Sequence, residues 1–426
     1  MKKNLIKTAF LLFALAISSM SYAQKSAFDE IKETPEKSGG VYYAYPGPTS
    51  TLTAIPKGYE PFYISHYGRH GSRYLLSDND YKRTLDNLRK ADSLNALTDL
   101  GKNVLSRMEE IWKEAEFHGD ELAPLGKRQH RGIAERMYQN YPQVFKDNAV
   151  VTARSTTSMR VALSMLSFCE RLKELNPKLN LDWETSRKNM CYLNYHTKRY
   201  DELKRDRNGW MKKHFEFAMR PINSERFNSQ IISDTSFFKK AKVMPNMFMN
   251  GIFDIAVDLQ DMETNVSLFD LFTTEELYEC WKNSNSWFYN SDADSPHNQG
   301  TAMESTRPLL AHFIERADLA IEGKGENVTL RFGHDGNIIP LASIMHLKDC
   351  YAHEEDLTKL DQVWRNYYVS PMGANIQLIF FRNNKKDVIV KILLNENETS
   401  IPVKTDMAPY YHWKDVKEYW ETQLKD

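Results

Sequence analysis

The chain has 426 residues, with 56 basic against 57 acidic side chains, 41% hydrophobic residues and 12% aromatics. This length fits one large α/β domain with an insertion, or two domains, and the hydrophobic content excludes a generally disordered protein. A net charge near zero argues against a protein whose overall field attracts nucleic acid, although it leaves room for a local basic pocket.

The first residues have the layout of a cleavable export signal. A lysine-rich start precedes a short apolar stretch at residues 9–17, and the Ser-Tyr-Ala sequence at 21–23 fits the small-x-small cleavage rule. The apolar stretch is too short to span a bilayer as an anchor. We therefore predict a signal peptide at residues 1–23 and a mature protein that is periplasmic or secreted, without a membrane span.

The residues that follow predict a strand that ends in a basic loop. Residues 24–56 form an irregular segment, and an aromatic and β-branched run at 62–66 then leads into YGRHGSRY at 67–74. Because glycines interrupt this motif, it is expected in a loop at the carboxyl end of the strand. Open α/β sheets place their ligands at that end.

Amphipathic helices and a second strand come next. Ser77 with Asp80, and then Thr98, are N-cap candidates for two helices, and a third helix is predicted around residues 133–138. The sequence AVVTARSTTSMRVALSMLSFCERL repeats the strand-to-helix pattern, with a strand at 149–153 and a helix face over 161–172. A second basic element therefore follows the end of a second strand.

The composition changes between residues 179 and 300, which are rich in Asn, Lys, Arg, Met and Phe and have several helical stretches. Residues 301–426 return to the α/β pattern, with a helix at 309–321, a strand at 328–332 and a hairpin that turns near Asn383 and Asn384. The predicted fold is α/β, with a mixed sheet flanked by helices. Residues 24–178 and 301–426 are expected to form this core, and 179–300 an inserted, mostly helical cap.

The four cysteines are widely spaced and leave their state open. An exported protein allows disulfides, and four cysteines permit three pairings, whereas burial as small apolar residues is an equally good interpretation. None has the CxxC spacing of zinc or thioredoxin-like sites. They are Cys169, Cys191, Cys280 and Cys350.

Polar clusters follow three predicted strands and would share one pocket if those strands are neighbours. Arginine suits a tetrahedral oxyanion because its planar fork can donate two parallel hydrogen bonds to two phosphate oxygens. Gly71 would let the backbone approach the anion closely. The three clusters are Arg69-His70-Gly71-Ser72-Arg73, then Arg154 with Arg160, and finally His334-Asp335.

A histidine among arginines is predicted to have a lowered pKa and to stay neutral, since like charges disfavour imidazolium. A neutral His70 held against phosphorus is a nucleophile, and Asp335 is a candidate to protonate the leaving alcohol and later to accept a proton from water. This scheme requires no metal or other cofactor. The sequence has neither an HExxH motif nor an EF-hand loop, and no metal ligands are predicted.

This pattern resembles the histidine acid phosphatase branch of the histidine phosphatase superfamily. The resemblance rests on RHGxR followed by STxxxR and a late His-Asp after a strand, and it extends to APLGKRQ, ARSTTSMRVALS and the terminal hairpin. It implies a phosphoglycerate mutase-like core, with His70 as the phosphohistidine nucleophile and Asp335 as the proton donor. It implies Arg69, Arg73, Arg160 and His334 as phosphate ligands, with Arg154 as a lesser candidate.

Within that family, the chain is similar to exported multiple inositol polyphosphate phosphatases and phytases. The inositol polyphosphate group usually has His-Ala-Glu at the late motif, whereas this chain has His334-Asp335-Gly336, which favours the broader acid phosphatase or phytase pattern. A basic run in the cap could bind further phosphates, although a solvated helix face is the commoner meaning of such a run. The run comprises Lys198, Arg199, Lys204, Arg205, Lys212, Lys213 and Arg220.

We therefore predict an exported, metal-independent phosphomonoesterase that acts on a small phosphomonoester and not on nucleic acid, with inositol polyphosphates such as phytate as candidate substrates. The alternatives are a general acid phosphatase without that preference, a phosphomutase, and a non-catalytic periplasmic protein that binds phosphate esters. The export signal argues against a mutase, because phosphorylated glycolytic intermediates are cytosolic. His70 and Asp335 argue against a pure binder, which needs neither a nucleophile nor an acid.

Overall fold

The computed structural model describes residues 25–220 and 222–425. The predicted signal peptide lies outside these residues. Within them, every helix is too short or too polar to cross a membrane.

A mixed sheet of eight strands forms the centre of the fold, in the spatial order β3–β2–β4–β1–β5–β6–β7, with β8 also pairing with β6. Strands β3, β2, β4 and β1 are parallel to one another, and the others join through antiparallel pairs. The predicted α/β class and mixed sheet are thus confirmed. The strands are β1 (Tyr59–Arg69), β2 (Val150–Ser155), β3 (Asn180–Thr185), β4 (Val328–Gly333), β5 (Asn375–Asn383), β6 (Val388–Leu394), β7 (Asn397–Glu398) and β8 (Tyr410–His412).

Helices account for most of the remaining regular structure, together with short 3-10 turns such as Pro35–Tyr42 and Leu259–Asp261. In chain order they are α1 (Ala27–Glu33), α2 (Asp78–Ser93), α3 (Asp99–Ala115), α4 (Pro124–Asn140), α5 (Met159–Leu175), α6 (Met190–Leu193), α7 (Lys198–Arg205), α8 (Trp210–Ala218), α9 (Glu225–Ile231), α10 (Ser236–Ala241), α11 (Pro245–Asp258), α12 (Thr274–Asp292), α13 (Thr301–Ile321), α14 (Asp335–Ile344), α15 (Leu360–Val363), α16 (Asn366–Val369) and α17 (Trp413–Gln423).

Local signals in the sequence fix where several of these elements begin. The Ser77 hydroxyl accepts a hydrogen bond from the Asn79 amide at 3.1 Å, which confirms Ser77 as an N-cap but with Asn79 and not Asp80 as its partner. The Thr98 hydroxyl accepts a hydrogen bond from the Gly101 amide at 2.9 Å and caps the next helix. The predicted hairpin is also confirmed, because β5 turns into β6 after Asn383. Strand β4 is buried along its whole length, as expected for a strand at the centre of a parallel sheet.

Helices cover both faces of the sheet. On one face, Ile133 of α4 and Phe168 of α5 belong to a hydrophobic core that includes Leu330 of β4. On the other face, Phe313 of α13 and Trp420 of α17 belong to a second core that includes residues of β5 and β6. The ends of the strands are left open for the loops that carry the polar clusters.

A third hydrophobic core changes the predicted division of the chain. It unites α2 and α3, which the sequence placed in the α/β core, with α9, α11 and α12 of the predicted cap. The amphipathic pattern of α2 and α3 identifies a buried face but not the partner of that face, which explains the difference. Strand β3 also lies inside the predicted cap range of 179–300, although it pairs with β2 in the sheet. Its exposed, polar residues hide the strand pattern.

All four cysteines are free. Cys169, Cys280 and Cys350 are buried, which agrees with the interpretation of small apolar residues, and burial raises the pKa of the Cys169 thiol to about 12. Cys191 is exposed.

Candidate active site

The register of the parallel strands brings the polar clusters together. Arg69, the last residue of β1, lies opposite Gly333 at the end of β4, and the His70 amide donates to the Gly333 carbonyl at 3.0 Å. On the other side of β4, the Thr156 amide donates to the Phe332 carbonyl at 3.2 Å. The three strand ends are therefore neighbours, and the loops that leave them share one edge of the sheet.

Glycines let the loop after β1 pack against the start of α4. A β-carbon on Gly71 would lie 2.5 Å from the Gly126 carbonyl oxygen, and one on Gly126 would lie 2.3 Å from the Ser72 carbonyl oxygen. Neither site has room for a side chain, since such distances lie far inside van der Waals contact. The Gly71 amide also donates to the Ser164 hydroxyl of α5 at 3.1 Å, so two helices fix this loop.

Arg69 lies completely buried at the base of the site. Its Nη1 donates to the backbone carbonyls of Val41 and Ser370, the latter at 2.8 Å, and its Nη2 donates to Asp335 Oδ2 at 2.8 Å. Burial lowers the pKa of Arg69, which remains a cation because a guanidinium does not deprotonate in proteins. The site thus contains a fixed positive charge with one carboxylate partner.

The His70 ring has a defined tautomer. Its Nδ1 lies 2.9 Å from the carbonyl oxygen of Gly71, which can only accept, so Nδ1 carries the proton and Nε2 keeps its lone pair. Burial, followed by the charges of Arg69, Arg73 and Arg160, lowers the pKa of His70 well below 6.5. Burial is the larger cause, and both causes favour the neutral imidazole that the sequence predicts.

Arg73 is 3% exposed, and its guanidinium donates to the Tyr74 carbonyl at 2.6 Å and to the Tyr42 hydroxyl at 3.1 Å. The guanidinium also lies over the Tyr42 ring, 4.8 Å from its centroid. These contacts are to neutral groups, so the charge of Arg73 is available to an anion.

Arg160 and His334 are hydrogen-bonded to each other at the site. Arg160 Nη1 donates to both oxygens of Asp120 at 2.7 Å, and its Nη2 donates to His334 Nδ1 at 3.3 Å. His334 must then carry its proton on Nε2, which lies 3.0 Å from the Thr156 hydroxyl. Burial and the charge of Arg160 lower the pKa of His334 to about 4, so this imidazole is also neutral near pH 7.

Asp335 begins helix α14, where the helix dipole favours a negative charge. Its Oδ1 accepts from the Gly336 amide at 2.8 Å, and its Oδ2 accepts from Arg69. Burial alone would raise the pKa of this carboxyl, but the charges of Arg69 and Arg73 outweigh that effect and hold the pKa at about 2. These charges favour the carboxylate form of Asp335.

Arg154 lies apart from this group. Its guanidinium donates to the Asp182 carboxylate at 2.5 Å and lies 3.5 Å from Glu184, both on the neighbouring strand β3. Its ion pairs therefore cross the sheet between β2 and β3, whereas those of Arg69 and Arg160 lie among the converging loops.

The basic run of the cap lies on α7, α8 and the segment after α8, and most of its cations have carboxylate partners. Lys198, Arg205 and Lys212 each lie within 3.9 Å of a carboxylate four residues away on the same helix, and their side chains are 61–91% exposed. Arg199 pairs with Glu304 of α13, and Arg220 pairs with Glu279 of α12. This pattern is typical of a solvated helix face.

Other residues contact the site without having been singled out in the sequence. Gln129 and Ser164, which hold the loop after β1, stand inside the quoted stretches APLGKRQ and ARSTTSMRVALS, so their positions carried a signal. Tyr42, Asp120 and Asp261 come from distant segments with no local motif.

The geometry agrees with comparisons to known proteins. Residues 68–395 match the histidine phosphatase superfamily (branch 2), whereas no curated protein matches the chain. Among solved structures, the Bifidobacterium longum multiple inositol polyphosphate phosphatase in complex with inositol hexasulfate is 18% identical, covers 89% of this chain and 97% of its own, and has a TM-score of 0.74. The phytase from D. castellii is 14% identical over 91% of this chain and 85% of its own, with a TM-score of 0.63.

The apo form of Hafnia alvei phytase is similar at 11% identity, over 87% of this chain and 98% of its own, with a TM-score of 0.52. At these identities the structural likeness establishes the fold, and the family match covers more than three quarters of the chain, including all three polar clusters. The chain therefore belongs to branch 2 of the histidine phosphatase superfamily and is an enzyme of the histidine acid phosphatase type.

Proposed function

We propose that this protein hydrolyses phosphate monoesters through a phosphohistidine formed on His70. One observation carries the proposal: the His70 imidazole, with a lone pair on Nε2, lies among three arginines, and the Asp335 carboxyl group is hydrogen-bonded to one of them, Arg69. Arg69, Arg73 and Arg160, with His334, would bind the phosphate oxygens. The arginines would stabilise the charge that spreads over the equatorial oxygens in the transition state.

In the first step, the Nε2 lone pair attacks phosphorus and the bond to the ester oxygen breaks. The proton on Nδ1 stays hydrogen-bonded to the Gly71 carbonyl, so no other base is needed to make Nε2 nucleophilic. The leaving alkoxide takes a proton from the Asp335 carboxyl, which becomes a carboxylate. In the second step that carboxylate accepts a proton from water, the water oxygen attacks phosphorus, and the P–N bond breaks to regenerate neutral His70.

A proton donor must be protonated, whereas the charges around Asp335 lower its pKa to about 2. A bound phosphate ester brings negative charge next to this carboxylate and competes with it for Arg69. Both effects raise the pKa of Asp335, because a neighbouring like charge disfavours ionisation. Substrate binding would thus prepare the acid, and activity is expected to be greatest at acidic pH.

The test of this function is turnover of p-nitrophenyl phosphate by the purified protein and by His70→Ala. The variant should lose all measurable hydrolysis, whereas His118→Ala, which changes an exposed histidine, should leave the rate unchanged. Full activity in His70→Ala would refute the phosphohistidine route. Binding of phosphate without any turnover by the unmodified protein would favour a non-catalytic binding protein.

We further infer that inositol polyphosphates are substrates of this enzyme. The likeness to a multiple inositol polyphosphate phosphatase and to two phytases supports this choice. Rates on phytate and on small phosphate esters, measured side by side, test it. A higher kcat/KM on phytate supports the preference, and equal or lower values support a general acid phosphatase.

We also propose that the protein is exported and that its activity requires no metal ion. The layout of residues 1–23 supports a cleaved signal peptide, so the N-terminus of the exported protein should be Gln24. Hydrolysis should persist in the presence of EDTA, because the arginines supply the positive charge. An uncleaved N-terminus, or activity lost to EDTA and restored by a metal ion, would contradict these parts.

A further inference from the structure

Two buried carboxyl groups lie behind the loop that carries His70 and Arg73. Asp258 is the last residue of α11, Asp261 ends the 3-10 turn that follows it, and both side chains are completely buried. Neither residue belongs to the polar clusters of the sequence. Burying a carboxyl group destabilises the fold unless the group is hydrogen-bonded, so the hydrogen bonds of these two residues indicate what they do.

Asp261 anchors Ser72, the residue before Arg73. The Ser72 hydroxyl donates to Asp261 Oδ1 and accepts from Gln129 Nε2 at 2.7 Å, while the Ser72 amide donates to Gln129 Oε1 at 2.8 Å. The backbone and side chain of Ser72 are thus held at three points, and Asp261 supplies the acceptor for its hydroxyl proton.

Asp258 anchors the other side of Arg73. The Tyr81 hydroxyl donates to Asp258 Oδ2 and accepts from the Leu75 amide at 2.8 Å. This orientation of the Tyr81 proton depends on the carboxyl, because a hydroxyl that accepts from an amide must donate elsewhere. The carboxyl pair therefore fixes the backbone at residues 72 and 75, on either side of the arginine.

The charges around the pair are consistent with this role. Asp258 Oδ1 and Asp261 Oδ2 have no hydrogen-bond partner within the described residues, and the charge of Asp258 acts on Asp261. Burial raises the pKa of both carboxyl groups, to about 7 for Asp258. The other charged or titratable groups near the pair are Arg69, Arg73 and Tyr74 of the loop, Tyr42, Tyr81 of α2 and Asp254 of α11.

We propose that Asp258 and Asp261 are positioning residues, which direct the Arg73 guanidinium into the phosphate pocket by anchoring the loop on both sides of it. The inference rests on the proposed function only in that the pocket is the phosphate site. The hydrogen bonds from Ser72 and Tyr81 to the two carboxyl groups carry this role.

The experiment compares Asp261→Ala with Asp261→Asn by calorimetric titration with inorganic phosphate. The alanine variant loses the acceptor for Ser72, and its Kd should rise at most about 10-fold, the upper value of one ordinary hydrogen bond. The asparagine side chain retains an oxygen acceptor, so its Kd should stay within about 2-fold of the unmodified protein. If Asp261 only stabilises the fold, Asp261→Ala should have a lower folded fraction, and hence a lower binding stoichiometry, with an unchanged Kd for phosphate.

Two results would overturn the proposal: an unchanged Kd in Asp261→Ala, or a Kd in Asp261→Asn as weak as that in Asp261→Ala. Where Asp261→Ala does not fold, Ser72→Ala removes the same hydrogen bond from its other end and should raise the Kd similarly. An unchanged Kd in that variant would also overturn the proposal. Phosphate binding needs no turnover, so absence of hydrolysis by the unmodified protein would refute the proposed function and leave this measurement intact.

Discussion

The proposed phosphate pocket and the basic run of the cap are both rich in cations, but they differ in burial. In the pocket, Arg69 and Arg73 are at most 3% exposed and bond mainly to backbone carbonyls and a tyrosine. In the cap, Lys198 and Arg205 are 91% and 79% exposed and pair with carboxylates on their own helix. A buried cation has lost its water and gains much from an anion, whereas an exposed pair contributes little. Burial, and not the density of basic residues in the sequence, therefore marks the anion site.

The largest loss of activity is expected from a change of Asp335, the carboxyl group among the arginines of the pocket. Asp335→Asn removes the proton donor, so hydrolysis of an alkyl ester such as glycerol 2-phosphate should slow about 10² to 10⁴-fold. Hydrolysis of p-nitrophenyl phosphate should slow much less, because nitrophenolate leaves without a proton. Asp201→Asn, which changes a carboxylate on α7, is the matched control and should alter neither rate. Equal losses on the two esters in Asp335→Asn would contradict the acid role.

A pair of arginine variants tests the comparison directly. Arg73→Ala should lower kcat/KM on p-nitrophenyl phosphate by about 10² to 10³-fold, the usual effect of removing one donor to transition-state charge. Arg205→Ala removes an exposed arginine of the cap and should change kcat/KM by less than about 2-fold. Similar losses in the two variants would mean that burial does not distinguish the two regions.

Acid should destabilise the region behind the loop after β1. Burial lowers the pKa of His130, behind the loop after β1, from 6.5 to about 4, so the folded state binds fewer protons than the unfolded state between these values. The free energy of unfolding should therefore fall as pH drops from 6.5 towards 4, with His130 contributing at most about 3 kcal/mol.

His130→Leu should flatten this pH dependence, which denaturant unfolding at several pH values would measure. The exposed His118→Leu is the matched control. An unchanged pH dependence in His130→Leu would show that other groups account for the acid sensitivity.

The smallest effect concerns a part of the cap that lies near the start of α14. Lys204 contacts the Tyr200 hydroxyl at 2.9 Å and lies 3.9 Å from Asp292, a carboxylate beside Gly336. Lys204→Ala should raise KM for phytate by about 2 to 5-fold, the range of a partly exposed charge contact, without changing KM for p-nitrophenyl phosphate. Lys212→Ala should change neither value. An equal change in KM for both substrates would show that Lys204 does not contribute to the preference for phytate.

The sequence predicted that the polar clusters converge because each of them follows a strand. Once β1, β2 and β4 are parallel neighbours, their carboxyl ends must meet, and the residues just after them come together without further information. Arg160 does not directly follow its strand, since it is the second residue of α5, and the family pattern was needed to assign it.

The parts that the sequence did not predict depend on contacts between distant segments. Asp261 lies 189 positions after Ser72, and no local pattern marks either as the partner of the other. The amphipathic helices α2 and α3 showed which face is buried, but their partners come from the region after residue 225. Strand β3 is exposed and polar because it lies at the edge of the sheet, so it lacks the apolar run that reveals a central strand.

The bond between the His70 ring and the Gly71 carbonyl has a consequence for the chemistry of the covalent intermediate. Since the main chain holds the proton on Nδ1, only the far ring nitrogen can accept the phosphoryl group. The adduct should consequently form as a single regioisomer, substituted at Nε2. Phosphorus NMR of protein trapped during turnover would then give one phosphoramidate resonance, assignable to that isomer alone.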